Sequence, residues 1–393
     1  MKSFTLTCVL TFFVISGIQA VKISISNPNA VDVSDAPVVI NLEKLKISPK
    51  KRASLAVFIA GEQISSQLDD LNNDSIPDEL VFLTDMRAGE SKQVTLKSIP
   101  EKKRIDFPAE VYASLIVKDG DVKKNIREIS SEKNDMYNKM HHHGVAFESA
   151  LMAYRIYFDN KSTIDLYGKK NNQLEIADTQ WYPTDEQLAA GYGDDILLVS
   201  GWVGAGTVKG FDGKKATHID QFKLRTQRIV ASGKIRAVVE SEVKGWNYEG
   251  KEVDMTVRYL IYARHRDMQA EVICSEDIEK LATGVQQIGG GACFKTNQLV
   301  GSWGSWYPQP DTVKYKKETV GLGLHMPQKY QGKHVMDGVN NLIIAPCKKG
   351  EILRFYVTAV ATKEKNQTIR SAEEFFKYLD GWRRGLEPIV VQK

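Results

Sequence analysis

The runs VDMTVRYLIY (residues 253–262) and MQAEVI (268–273) carry an apolar or aromatic side chain at every second position: Val253, Met255, Val257, Tyr259 and Ile261, then Met268, Ala270 and Val272. A period of two is the signature of a β-strand that turns one face to a core. The same alternation runs through 153–158, 163–167 and 228–240, and 352–360 also reads as a strand. Long strands set apart by Gly-rich turns, with few helical stretches, predict a large antiparallel supersandwich over residues 141–393. One short helix closes it. Ser371 is placed to cap a segment reaching Trp382, with Glu373 and Glu374 in its first turn and Phe375, Phe376, Leu379 and Trp382 along one side.

Ahead of this lie shorter strands at 21–25, 37–42, 53–59, 80–83 and 93–96, separated by Asn, Asp, Pro and Gly. They predict a small amino-terminal β-sandwich or barrel over 21–117, so the fold class is mainly β. Residues 118–140 are charged and poorly periodic, which reads as a linker. Residues 1–20 have a basic start at Lys2, an apolar run from Phe4 to Ile18 and a small residue at Ala20, the layout of a cleaved secretory signal. The expectation is an exported protein, periplasmic or extracellular. No later stretch reaches the roughly 18 apolar residues of a spanning helix.

The 53 basic and 49 acidic residues nearly balance and are dispersed, which excludes a nucleic-acid footprint. Cys8 leaves with the signal. The remaining Cys274, Cys293 and Cys347 suit either one disulfide with a free thiol or three buried small residues, and their spacing has no zinc pattern. Oligomeric state is not written in the sequence.

The chemically richest short segment is QLDDLNNDSIPDEL (67–80). Oxygen-bearing side chains at Asp70, Asn72, Asp74 and Asp78, with the Ile76 carbonyl, can wrap a Ca²⁺ ion in one tight loop. The loop departs from the strict EF-hand pattern, because Ser75 replaces the usual Gly and Val81 occupies the bidentate Glu position. Glu79 or Gln67 are the available substitutes. A polar hairpin without an ion fits the same residues, and an ion here is expected to clip the loop rather than do chemistry.

A second cluster begins at His141, His142, His143 and Glu148 and continues through Tyr154, Arg155, Tyr157, Asp165, Tyr167 and Lys169. Imidazole moves protons near neutral pH, and a carboxylate such as Glu148 can orient it. Strand geometry sends Tyr154 and Arg155 to opposite faces, so one of the two is structural. Two loops, TQWYP (179–183) running on to GYGDD (191–195) and GSWGSWYP (301–308), offer Trp181, Trp306, Tyr192 and Asp194 as flat platforms and polar edges suited to sugar rings. The same loops suit packing lids. His218, His265, His325 and His334 stand singly and read as ordinary structural residues. No Gly-x-Ser-x-Gly elbow, His-Glu-x-x-His, Walker loop or dinucleotide fingerprint is present, and Gly289-Gly290-Gly291 lacks the context of a phosphate loop.

Taken together, residues 67–82, HHG (142–144), AYRIYF (153–158), IDLYGK (164–169) and GYGDD (191–195) resemble the secreted bacterial domain-of-unknown-function family 4861 over essentially the whole mature chain. The resemblance implies a companion of pectin and other uronate-polysaccharide degradation. More distantly, the amino-terminal half is similar to the β-domain that opens exo-acting rhamnogalacturonan lyases, and the carboxy-terminal half to the galactose-mutarotase type of sandwich. No catalytic residue transfers through these likenesses.

The leading expectation is a carbohydrate-active enzyme that cleaves uronic-acid-containing glycans by β-elimination. Arg155 or Lys169 would neutralise the uronate carboxylate, His143 would take the C5 proton, and Tyr154 or Tyr192 would protonate the leaving oxygen. Trp181, Trp306, His142 and Asp194 would line the substrate. A mutarotase or epimerase using His and Glu148, or a noncatalytic glycan binder, are the alternatives.

Overall fold

The computed structural model describes residues 20–393; the expected signal peptide, apart from Ala20, lies outside the described residues. The fold is mainly β and antiparallel, with a short carboxy-terminal helix. In the amino-terminal part, a five-stranded sheet contains Ala20–Ser26, Ser91–Ser98, Leu55–Ile59 and Glu62–Ile64, and a three-stranded sheet contains Val33–Asn41, Glu79–Met86 and Ser66–Asp69. Alternate residues Ile23, Ile25, Val38, Ile40, Leu80, Phe82, Val94 and Leu96 meet in one buried cluster. The fifth strand of the first sheet is Val390–Gln392, which pairs with Ala20–Ser26. Residues 141–393 are therefore not self-contained, because the chain end returns to the amino-terminal sheet.

The larger part has two layers. A nine-stranded sheet runs in the order Glu128–Ser131, Leu224–Ala231, Arg236–Tyr248, Lys251–Tyr262, Met268–Cys274, Leu353–Ala361, Glu318–His325, Leu299–Trp306 and Ala292–Lys295. Opposite it, a five-stranded sheet and the three strands Ile278–Gln286, Asn340–Cys347 and Lys333–Met336 are bridged by residues 204–209 through pairs such as Ile164↔Gly204 and Ala205↔Val285. The main core lies between the layers, where Val145, Phe147, Tyr154 and Ile156 meet Val257, Tyr259, Val272 and Phe355.

Three sequence expectations fail here. The stretch read as a linker is structured: Val122–Asn125 and Glu128–Ser131 are strands, and the latter is the edge of the nine-stranded sheet. Its residues are mostly exposed, so an edge strand held by backbone pairing to a distant segment carries little periodicity. The boundary at 117 also shifts, because Val111–Ser114 pairs with Gly144–Ser149 in the larger part. Likewise the alternation at 228–240 covers two strands joined by a turn around Gly233, where an added Cβ would sit 2.8 Å from the Gln67 amide oxygen.

The two parts are tied by a buried ion cluster. Arg236 donates from Nε to Asp69 at 2.7 Å and from Nη2 to Glu79 at 2.6 Å, while the Gln67 carbonyl accepts the amides of Ile235 and Arg236. Gln67 and Glu79, weighed above as metal ligands, thus serve as docking groups. Helix Ala372–Trp382 is as expected: Ser371 and Glu374 form a reciprocal capping box, and Phe375 and Leu379 are buried against the nine-stranded sheet.

Candidate functional site

Strands Gly144–Ser149, Met152–Tyr157 and Ile164–Gly168 are adjacent, and their alternation sorts the second sequence cluster into two faces. Tyr154 points into the core and donates to the Arg266 carbonyl at 2.6 Å. It is a core residue and not a proton donor to substrate. Glu148, Arg155, Tyr157, Asp165, Tyr167 and Lys169 share the outer face, roofed by the 170–195 segment. Ala146 and Ala153 are small enough to admit Ile176 and Trp181 from that roof. Trp181 is fully buried with its ring 4.5 Å from the Arg155 guanidinium, so it is a floor for arginine and not a sugar platform.

Arg155 stands directly across from Asp165 and donates to its Oδ2 from Nε at 2.9 Å and Nη2 at 2.6 Å. Tyr157 donates to the same oxygen at 2.9 Å, and Asp195 lies 3.9 Å from Nη2. Tyr182 and Gln309 close the cluster, with Gln309 donating to Asp195 and to the Tyr182 hydroxyl. Burial raises the Asp165 carboxyl against the pull of Arg155; burial and then the Asp165 charge push Asp195 well above the carboxylate range. Arg155 is therefore committed to protein carboxylates through Nε and Nη2, and its Nη1 is buried without a partner among the described residues. It positions loops and is not free to neutralise a substrate.

Glu148 and Lys169 are a buried ion pair, not catalysts. Glu148 also accepts the amides of Glu175 and Ile176, each at 2.9 Å, and so pins the roof segment. We expect Lys169→Met to cost roughly 3–5 kcal/mol in urea titrations, since it leaves the Glu148 carboxyl buried without its cation. A cost below about 1 kcal/mol would contradict this role.

His142 is buried with neither ring nitrogen hydrogen-bonded among the described residues, and it packs edge-on to Trp181. It cannot reach a substrate from there. His143 occupies the left-handed region at φ 61°, donates from Nδ1 to the Tyr137 carbonyl at 3.0 Å, and stacks on the Tyr137 ring at 4.0 Å. Burial lowers its basicity. Tyr192 interacts with Asp178, and no contact joins it to Arg155 among the described residues. Asp194 pairs with Lys363, while its neighbour Asp195 enters the arginine cluster.

The pocket that opens beside these groups was not assembled by sequence reasoning, apart from Trp306. It has a volume of about 250 Å³ and is lined by Trp202, Gln286, Gln287, Trp306, Tyr307 and Glu318 among others. Trp306 is 45% exposed. Its indole lies against the Gly289 backbone, where a Cβ would stand 2.3 Å away, so the absence of a side chain at Gly289 makes the seat for this ring. Lys317 places its ammonium 5.8 Å from the Trp306 ring centre and 5.3 Å from that of Tyr307. Glu318 lies 2.8 Å from Lys363. Burial pushes the Glu318 carboxyl up to about 7 and the Lys363 ammonium down to about 7.

In the 70–78 loop the carboxylates cap the loop's own backbone. Asp70 accepts the amides of Asp74 and Ser75, Asp74 that of Ile76, and Asp78 that of Leu71. Among the described residues no three His, Cys, Asp or Glu side chains gather where they could hold a metal. No helix among them is long and apolar enough to cross a membrane. Cys274, Cys293 and Cys347 are free thiols.

Fold and site together define a two-layer antiparallel β-protein with an aromatic pocket at the rim of a loop-roofed sheet. The chain belongs to the family described as domain of unknown function (DUF4861), whose profile matches residues 25–391. Comparison with curated proteins found no match. Among solved structures it is similar to a protein in the glycosyl hydrolase family 38 from Enterococcus faecalis and to an alpha-mannosidase from Enterococcus faecalis V583. Each is 9% identical with a TM-score of 0.47, covering 95% of this chain and 47% and 46% of theirs, so the chain spans about half the length of these structures.

Proposed function

We propose that the protein is an exported carbohydrate-active enzyme that cleaves uronic-acid-containing glycans by β-elimination in the Trp306 pocket. One observation carries the reading: an exposed indole, a phenol ring and a half-buried carboxyl held near neutrality line one pocket, and the Lys317 ammonium stands beside both rings. Trp306 and Tyr307 offer faces for a pyranose ring. Lys317 neutralises the uronate carboxylate. Glu318 takes the C5 proton, the C4–O bond breaks as the C4–C5 double bond forms, and solvent protonates the departing oxygen. Lys363 stabilises the Glu318 carboxylate before the transfer. These roles replace those expected of Arg155, Lys169, His143 and Tyr154.

The test is incubation with polygalacturonate and glucuronate-containing oligomers while near-ultraviolet absorbance is followed. An unsaturated, absorbing product is expected, with Trp306→Ala raising KM about tenfold through loss of roughly 1–2 kcal/mol of ring contact. Saturable binding of these polymers without an absorbing product would leave a glycan binder; a change of anomer or epimer alone would leave the mutarotase or epimerase reading.

The proposal includes a structural Ca²⁺ in the 70–78 loop, held by Asp70, Asn72, Asp74, Asp78 and the Ile76 carbonyl. Asp74 Oδ2 and Asp78 Oδ1 accept no hydrogen bond among the described residues, which leaves them free for a cation. An ion at about a hundred times its Kd adds about 2.7 kcal/mol to the folded state. Calorimetry should show a higher Tm in Ca²⁺ than in chelator, with turnover unchanged at temperatures where both forms are folded. Identical Tm values would remove the ion from the proposal.

A further inference from the structure

A cavity of about 510 Å³ is a cleft between the small amino-terminal sandwich and the turn at 232–234, and it shares no lining residue with the Trp306 pocket. Three cations line it: Arg104, Arg127 and Lys234. Arg104 donates from Nη2 to the Ala53 carbonyl at 3.0 Å, and Arg127 donates from Nη2 to the Val230 carbonyl at 3.2 Å. Neither guanidinium has a carboxylate partner among the described residues, and the Arg104 Nε is buried without any acceptor. Lys234 is paired only with Asp106, whose side chain is 95% exposed.

Two acids line the same cleft, and each is held within the protein. Asp69 is engaged by Arg236 and Gln67, and both oxygens of Asp70 accept loop amides. Ile105, 51% exposed, and Phe107 add apolar surface to the same wall. Unpaired guanidinium forks beside an apolar strip are matched to a planar carboxylate on a body with hydrophobic faces. We infer that this cleft is a second binding site, separate from the reaction pocket, that holds a carboxylate-bearing stretch of oligosaccharide. That the carboxylate belongs to a sugar rests on the function proposed above; the anion site itself does not.

Isothermal titration of the full chain with a galacturonate tetramer tests it. Glu318→Gln, which binds without turnover, should take up two tetramers; adding Trp306→Ala should weaken one of the sites about tenfold, and adding Arg104→Gln with Arg127→Gln should leave one site. Arg104 also holds the Ala53 carbonyl, so Arg127→Glu, at an exposed side chain, serves as the second variant. It should weaken the cleft site at least tenfold with Tm unchanged. The methyl-esterified tetramer should lose the cleft site, and millimolar sulfate should not displace the acid form. Two sites surviving in Arg127→Glu, or equal binding of the ester, would overturn the inference. Competition by sulfate at its own concentration would reduce the cleft to a simple anion site and overturn the saccharide assignment. If Arg127→Glu removes the one site found and Trp306→Ala weakens none, the cleft stands and the reaction pocket falls.

Discussion

Arg236→Ala is expected to lower stability by roughly 3–5 kcal/mol, the usual cost of removing one partner from a buried ion pair. The Arg236 guanidinium is buried between Asp69 and Glu79, and its loss leaves the Asp69 carboxylate, 3% exposed, facing a cavity with no counter-charge. It also strips the contact through which hairpin 66–86 of the small sandwich grips the turn of the large sheet. In thermal unfolding the shift should be on the order of 5–10 °C, and the transition should broaden or split as the two parts lose their coupling. Asp69→Asn combined with Arg236→Met should recover part of the loss, because no charge is then left buried alone. A single sharp transition within about 1 °C of the native protein would show that the cluster does not couple the parts.

Glu318→Gln is expected to lower kcat by about 10²–10⁴, the range for a missing proton-transfer group, with little change in folding. The pH profile provides a separate readout. Glu318, raised to about 7, must lose its proton to act, so the rate climbs as pH rises through that value; Lys363, lowered to about 7, must keep its proton, so the rate falls above it. The product is a narrow bell near neutrality whose two limbs belong to the pair. Lys363→Met removes the cation 2.8 Å from Glu318, and the acidic limb should then move to higher pH because the carboxyl loses its stabilising charge. A flat profile between pH 5 and 9 in the native enzyme, or full activity in Glu318→Gln, would exclude this carboxyl from the reaction.

Alternation made most strands legible, since the runs at 253–262 and 268–273 answer to observed strands Lys251–Tyr262 and Met268–Cys274. Capping chemistry located the helix for the same reason, as Ser371 and Glu374 act within one turn. The candidate site was readable only as a list of residue types. Composition grouped His143, Glu148, Arg155 and Lys169 correctly into one region, but the partners that consume them, Asp165, Asp195 and Glu175, decide whether each is free to act. The pocket drew on Gln286, Gly289, Trp306, Glu318 and, behind it, Lys363, which come from separate strands and turns and share no local pattern. The one signal available for it was the pairing of a glycine run with GSWGSWYP.

What the sequence determined by itself is everything governed by neighbours along the chain: strand period, helix caps, the self-capping 70–78 loop and membership of its family. The tertiary structure alone decided which ionisable groups are buried with a counter-charge and which face open space. It also decided that residues 118–140 and 390–392 complete sheets begun far away, and that Trp306 is a platform while Trp181 is a floor. The physical reason is range. Dihedral and capping preferences act over a few residues, whereas desolvation and ion pairing depend on groups brought together from across the chain, so the chemistry of a site emerges only once the layers have closed around it.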